Sequence, residues 1–478
     1  MAAVLAAADK ESDEYTRLVR PAANDDNYVV DDDADDDDNE DMVTDSSSME
    51  PFDRLSIVKI SFGLIGLSQL IPWNFLITAS DYWSYKFRDT NATNGSHYYQ
   101  TAITDDGQPS PAHQLTPLQK YFESYLAIAT NVPFLVVLAI NAFYGHKISD
   151  AIKNMGSFVT IILIFILTTI FVKIDTDYYQ QTFFGITIAT IVLLSTAAAF
   201  LQSSLSGIAS LFPALCMQSM ISGQAMSGLF AAAAQILALM GGWDASTTAL
   251  YYFIMADLTL IVSLVLYLYS KKTDYYRYHK HRVNQSRRQL TTFVSASDQS
   301  FYRSIIYSIW PHLTSAMLVF WVTLSVFPAI TVLVVPESPN SSQWTGTYFI
   351  PVTCFLLFNL SDLMGRFAGR FCPIPAYRRW TLLLVSAGRI VLIPLLMLCN
   401  VHPRAGHLPV VFLNEMYYIW FVTALGFSNG YVLMNVMVSG PTFVANEYKE
   451  SAGFFLVSFI GLGLTLGSFT SNILLRLL

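Results

Sequence analysis

Charge is scarce in this sequence. Asp, Glu, Lys and Arg make up 13% of its 478 residues, about half the share of an ordinary soluble domain, which excludes a chain folded mainly against water. Cysteine is nearly absent too. Cys216, Cys354, Cys372 and Cys399 form no CxxC pair and lie in or beside apolar runs, so neither a disulfide framework nor a zinc site is expected. The start of the chain lacks the basic stretch, short apolar core and small-residue cleavage site of a signal peptide, so the first apolar run is expected to be retained. No nucleophile–base set, phosphate-cradling glycine loop or metal cluster stands out, and His146, His279, His281, His402 and His407 are scattered over loops. An enzyme is not expected.

What is present is apolar: 53% of residues are hydrophobic and 14% aromatic, with a mean hydropathy of +0.43. Uncharged runs such as Phe183 to Leu201 have the length, about 20 residues, that crosses a bilayer as a helix. Eleven such spans are predicted, near 56–78, 121–144, 155–172, 183–209, 217–240, 247–269, 309–335, 348–369, 380–399, 416–438 and 452–475. The fold class is therefore an all-α polytopic membrane protein in a 6+5 arrangement. A first bundle covers 53–270 with an outer loop at 81–118, a basic cytosolic loop covers 271–304, and a second bundle covers 305–478. Such a division suits two bundles that rock about a central site. Residues 1–52, with acidic runs at Asp31 to Asp33 and Asp35 to Asp38, are expected to form a disordered cytosolic tail.

Lys and Arg in short loops set orientation. With the amino terminus in the cytosol, fourteen fall inside, among them Lys271, Arg287 and Arg379, and six outside, among them Arg88 and Arg404. The carboxyl terminus is then outside. The sequons at Asn91, Asn94 and Asn340 fall in outer loops and are candidate glycosylation sites.

An ionisable residue at mid-bilayer costs about 2.5–3.5 kcal/mol on insertion scales, so it normally faces a partner or a watery path. In the eighth span Asn359, Asp362 and Arg366 are spaced i, i+3, i+7 on one helical face, and Asp362 and Arg366 are spaced to pair. They form either a structural ion pair or a hydrogen-bonding stripe for a polar solute. The fourth span carries Ser195, Ala198, Gln202 and Ser206 on one face. Gln202 both donates and accepts, which suits the edge of a base, although glutamine also serves as interhelical glue. Ser219, Gly223, Ser227 and Ala231 repeat every four residues in the fifth span, a spacing that favours close packing over ligand contact. Glu123, Asp257 and Arg389 are further charges within spans.

Several motifs resemble the equilibrative nucleoside transporter family over about residues 52 to 478. They are Pro72-Trp73-Asn74-Phe75, Ile221-Ser222-Gly223-Gln224, Phe327-Pro328-Ala329, the Asn359, Asp362, Gly365 and Arg366 set, Phe427-Ser428-Asn429-Gly430-Tyr431, and Gly461 to Leu464 with Leu466-Gly467. The resemblance implies an eleven-span fold related to the major facilitator superfamily. It also implies movement of nucleosides, and in some members nucleobases, down their gradient without a cofactor. Position by position, it implies that Trp73 and Ile77 flank the base, that Gln202 bonds its edge, and that Asp362 with Arg366 holds the ribose hydroxyls. Phe327, Asn359 and Leu464 complete the wall, Asn131 and Phe134 bear on selectivity, and Gly223, Gly228 and Pro328 serve packing and conformational change.

The implied partners are nucleosides and membrane lipid, not nucleic acid polymers. The alternative is a carrier of the same architecture for another polar solute such as an organic cation, which needs an unpaired acid in the cavity, for which Glu123 and Asp257 are the candidates; such a carrier could also be linked to protons. A plasma membrane is the expected location. The segment Tyr121 to Ala127, more similar to the lysosomal member, and the sorting-signal pattern Tyr15-Thr16-Arg17-Leu18 give the endolysosomal membrane as the alternative. Because the spans show no cluster of acids with a carbonyl-rich broken helix that marks a sodium site, uptake into liposomes should proceed equally with and without a sodium gradient; strict dependence on sodium would contradict this.

Overall fold

The computed structural model describes residues 51–88, 116–144, 149, 152–281, 299–338, 342–375, 378–402, 404 and 408–478, with a few side chains inside these ranges left out. Asn91, Asn94, Asn340, the acidic runs and the side chain of Glu123 lie outside the described residues.

Among the described residues the chain is almost entirely helical. In the first part run α1 (Ile57–Thr78), the short α2 (Ser80–Lys86), α3 (Pro117–Tyr144), α4 (Ser157–Lys173), α5 (Gln180–Ala209), α6 (Ala214–Gly241) and α7 (Ala245–Ser270). In the second part run α8 (Gln299–Val326), α9 (Leu357–Phe371), α10 (Arg379–Gly388), α11 (Leu392–Met397), α12 (Glu415–Ser439) and α13 (Lys449–Leu477). Among the described residues there is no sheet, only isolated bridges at Val334–Val401 and Cys399–Phe412. Nine helices among the described residues are long and apolar enough to cross a membrane, by length and composition. The predicted spans at 121–144 and 348–369 fall on helical segments outside that set.

Helix ends follow the local sequence. Asp244 caps α7, its carboxylate accepting from the Thr247 amide at 3.0 Å, and the bond with the Thr247 side chain holds that carboxyl below its ordinary pKa. Asn414 caps α12 in the same way through the Met416 amide. Gly242, at φ +62°, ends α6 in the left-handed region that glycine enters without a Cβ penalty. The span predicted at 380–399 is broken: Arg389–Val391 form a 3-10 turn between α10 and α11. The cause is Pro394, which has no N–H to offer the carbonyl of Ile390. The segment before α9 is likewise irregular, with π-helical turns at Trp344–Tyr348 and Pro351–Leu356. Pro351 again removes a donor, and wide turns of this kind often occur at functional sites.

Side chains such as Val159, Leu163, Ile166 and Ile170 form an exposed apolar stripe on α4, a surface suited to hydrocarbon rather than water. Inside, α1 packs on α6 and α7, α3 on α5, α8 on α13, and α9 on α12, while α13 also packs on α3 and α5, and α6 on α9. The last two contacts join the first part of the chain to the second.

Small residues make the closest crossings. A Cβ on Gly223 would fall on the carbonyl of Gly63, so α1 and α6 touch backbone to backbone. The same holds for α9 and α12, where a Cβ on Gly365 would meet the carbonyl of Phe427 and one on Gly430 the carbonyl of Asp362. Overpacking a tight contact costs about 1–3 kcal/mol. Gly223→Ala is therefore expected to lower the thermal midpoint of the detergent-solubilised protein by several degrees. Gly185→Ala, where a new Cβ would have nothing within 4 Å, should leave the midpoint in place.

Candidate functional site

A cavity of about 270 Å³ lies between the two parts of the chain. Trp73 and Ile77 enter it from α1, Asn131 and Phe134 from α3, Gln202 from α5 and Gly228 from α6. From the other side come Phe327 and Pro328 after α8, Asn359, Asp362 and Arg366 from α9, and Leu464 from α13. Every residue that the sequence singled out for substrate contact thus lines one space. Gly223 does not, since it packs on α1. Gly228 is not a helix-packing glycine in the same sense: a Cβ there would displace the side-chain amide of Asn359, so its role is to leave that amide room.

The cavity has an aromatic side and a polar side. Phe327 stacks on Phe358 with ring centroids 4.0 Å apart and 16° between planes, and Phe355 stands edge-on to Phe327 at 6.0 Å. Offset stacked and edge-to-face pairs of this kind add about 0.5–1.5 kcal/mol beyond burial, so Phe327 is held as a fixed wall. Trp73 lies across the cavity, partly buried against the core. Gln202 is buried and makes no protein hydrogen bond among the described residues, so its amide is available to a solute.

On the polar side the ion pair between Asp362 and Arg366 is formed, both residues 4% exposed. Arg366 Nε donates to Asp362 Oδ2 at 2.9 Å, and Nη2 lies 2.8 Å from the same oxygen. Arg366 Nη1 donates to the carbonyl of Ile221 on α6, and Asn429 Nδ2 on α12 donates to Asp362 Oδ1 at 2.7 Å. A guanidinium has five N–H groups and a carboxylate about four lone-pair positions, of which three of each are engaged here. Two donors and one acceptor remain for a ligand, a set that two neighbouring hydroxyls match.

Asp362 is the only acid lining the cavity among the described residues. Asp257 does not reach it and instead accepts a hydrogen bond from Thr169 on α4 at 3.0 Å. Arg389 does not line it either.

Several lining groups were not singled out in the sequence. Gln224 Nε2 donates to Gln69 Oε1 at 2.8 Å and Asn74 Nδ2 donates to Ser227 Oγ at 2.8 Å, while Asn131, already singled out, donates through Nδ2 to Ser468 Oγ at 3.0 Å. Gln69, Asn74 and Gln224 line the cavity, as do Thr323 and Asn429. For Gln69 a signal exists, because it stands four residues before Trp73 and so shares its helical face. Asn74, Gln224 and Asn429 lie inside the quoted motifs, while Thr323 has no local signal.

The comparisons with known proteins agree with this geometry. A family model described as nucleoside transporter matches residues 188–475. Equilibrative nucleoside transporter 1 of Rattus norvegicus is 33% identical over 459 residues, covering 90% of this chain and 99% of that protein. Equilibrative nucleoside transporter 3 of Rattus norvegicus is 31% identical, covering 87% and 88%, and Homo sapiens equilibrative nucleoside transporter 2 is 31% identical, covering 90% and 99%. Among solved structures, a bacterial homologue of human drug peptide transporters covers 88% of this chain and 98% of that one at 11% identity and a TM-score of 0.33, a likeness too weak to bear on the fold. With this extent of identity over about nine-tenths of its sequence, the chain belongs to the equilibrative nucleoside transporter family.

Proposed function

We propose that this protein moves nucleosides down their concentration gradient across a membrane by alternating access of the central cavity, with the bundles 53–270 and 305–478 as the moving parts. It is a carrier and not an enzyme, and it needs no cofactor. The observation that carries this reading is the pairing, in one cavity, of an aromatic wall with a buried ion pair that keeps two donors and one acceptor unengaged. A nucleoside presents a flat apolar face and neighbouring sugar hydroxyls, the two surfaces that such a site accepts. In this reading Trp73, Ile77, Phe327 and Leu464 enclose the base, Gln202 bonds its edge, and Asp362 with Arg366 takes the ribose. Asn131, Phe134 and Asn359 shape the remaining wall.

An organic cation fits the same cavity poorly. It calls for an acid without a counter-ion, and the one acid on the wall among the described residues, Asp362, already carries Arg366. Nucleobases, which share the flat face and lack the sugar, are proposed as weaker substrates. Apart from its substrates and the surrounding lipid no partner is proposed, and no nucleic acid polymer is among them. The proposed location is the plasma membrane, with the endolysosomal membrane as the other candidate. The amino terminus is placed in the cytosol and the carboxyl terminus outside, with sugars on Asn91, Asn94 and Asn340. The segments α3 and 344–371 complete a set of eleven crossings in this proposal. Uptake of radiolabelled uridine, adenosine and adenine by the purified protein in liposomes tests the reading. Saturable uridine uptake supports it, and uptake no faster than in empty liposomes would refute it.

Stacking of a base on an aromatic ring is worth about 1–3 kcal/mol, so Trp73→Ala should weaken nucleoside binding about 5- to 150-fold. Normal binding by that variant at normal abundance would remove Trp73 from the site.

The ribose contact needs a finer test, because truncating Asp362 also leaves Arg366 buried without its counter-ion. Asp362→Asn keeps the shape. A hydrogen bond to a charged group contributes about 1.5–3 kcal/mol, so the change should weaken uridine binding about 10- to 150-fold. Binding of 2′,3′-dideoxyuridine should suffer far less, giving a coupling energy of about 1 kcal/mol or more in the cycle. Equal losses for both ligands would make the pair purely structural.

A further inference from the structure

Arg389 is buried, 3% exposed, and stands outside the cavity in the 3-10 turn between α10 and α11. Its guanidinium donates to Ser428 Oγ at 2.9 Å, to the Val319 carbonyl at 2.9 Å, to Thr323 Oγ1 at 2.8 Å and to the Leu425 carbonyl at 3.1 Å. None of these partners is an acid. A cation buried among neutral acceptors is costly, and holding this turn against α8 and α12 does not by itself require a full charge.

The polarity of the hydrogen bonds gives the charge a use. Thr323 has one hydroxyl proton and two acceptors in reach, the Val319 carbonyl one turn back at 2.8 Å and Asn429 Oδ1 at 2.9 Å. The Val319 carbonyl sits within α8, where the helix ladder takes one of its lone pairs, and Arg389 Nη1 takes the other. The Thr323 proton is thereby directed to Asn429 Oδ1. With its oxygen so engaged, the Asn429 amide must present its NH2 group to Asp362, where Nδ2 donates to Oδ1 at 2.7 Å.

We propose that Arg389 is a positioning residue for sugar recognition, setting the direction of a relay that runs through Thr323 and Asn429 to the Asp362 carboxylate. Without Arg389, the Thr323 hydroxyl turns back to its own helix and the Asn429 amide loses the bond that anchors its oxygen, so its NH2 group no longer holds the Asp362 carboxylate in one fixed aim. The proposal rests on the reading of Asp362 as the sugar-binding group.

The test measures the ratio of uridine to 2′,3′-dideoxyuridine affinity for purified variants in proteoliposomes of matched protein content. Arg389→Gln removes the charge. Thr323→Val cuts the relay and leaves the other Arg389 bonds in place, which keeps the proposal testable if Arg389→Gln fails to fold. Each should lower the ratio about 5- to 10-fold, while Thr323→Ser, which retains the hydroxyl, keeps it. In an Asp362→Asn background, adding Thr323→Val should bring no further fall.

An unchanged ratio in Thr323→Val, or equal losses for both ligands, would reduce the relay to a fold contact. A loss that persists at full size in the Asp362→Asn background would mean that Thr323 touches the sugar directly, and would also overturn the proposal. If Asp362→Asn alone leaves the ratio intact, the ribose reading itself falls. If that variant lowers the ratio while Arg389→Gln and Thr323→Val do not, the relay alone falls.

Discussion

A carboxylate inside a membrane protein is stable only when its surroundings hold it more firmly than water would, and at Asp362 those surroundings come from three helices. Arg366 supplies the counter-charge from the same helix, one turn along. Asn429 arrives from α12, and Arg366 in turn reaches α6 through the carbonyl of Ile221. The geometry of the cavity depends on this cluster. Remove it, and the polar side loses its one fixed charge pair, the α9–α12 crossing loses its side-chain bond, and α6 loses its polar contact with the second part of the chain.

The contact between Arg366 and Ile221 spans the two parts of the chain. Alternating access requires such contacts to be weak enough to exchange, and a side-chain bond to a backbone carbonyl meets that requirement. Within the second part, by contrast, Arg389 ties α8, α12 and the α10–α11 turn together by four donations. Four polar ties converge on Arg389 within the second part, whereas those between the two parts include single bonds at separate places: Arg366 to the Ile221 carbonyl, Asn131 to Ser468, Ser210 to the Lys449 carbonyl and Ser458 to the Leu138 carbonyl.

Much of this was legible in the sequence because it rests on local rules. Apolar runs mark helices in a membrane whatever packs on them, and a charge pair four residues apart in such a run stands out, which is how Asp362 and Arg366 were found. The cavity residues followed from motifs and from resemblance, and the structure brings them to one space. What stayed hidden depends on contacts between distant segments. Thr323 is one of several hydroxyl residues in α8, and nothing near it in sequence shows that Asn429 and Arg389 meet there. The break at Arg389–Val391 was foreshadowed by Pro394, yet hydropathy reads the segment as one continuous span, because proline alters the ladder and not the apolar average.

The glycines at the α9–α12 crossing have a mechanical meaning. Where Gly365 and Gly430 meet the opposing backbone, no side chain stands between the two helices to bend, slide or change rotamer. Compliance in a helix pair resides mostly in such side chains, so this pair behaves as a single stiff beam. If the two bundles alternate as proposed, such a pair carries Asp362, Arg366 and Asn429, all mounted on it, through the movement together with their mutual spacing kept.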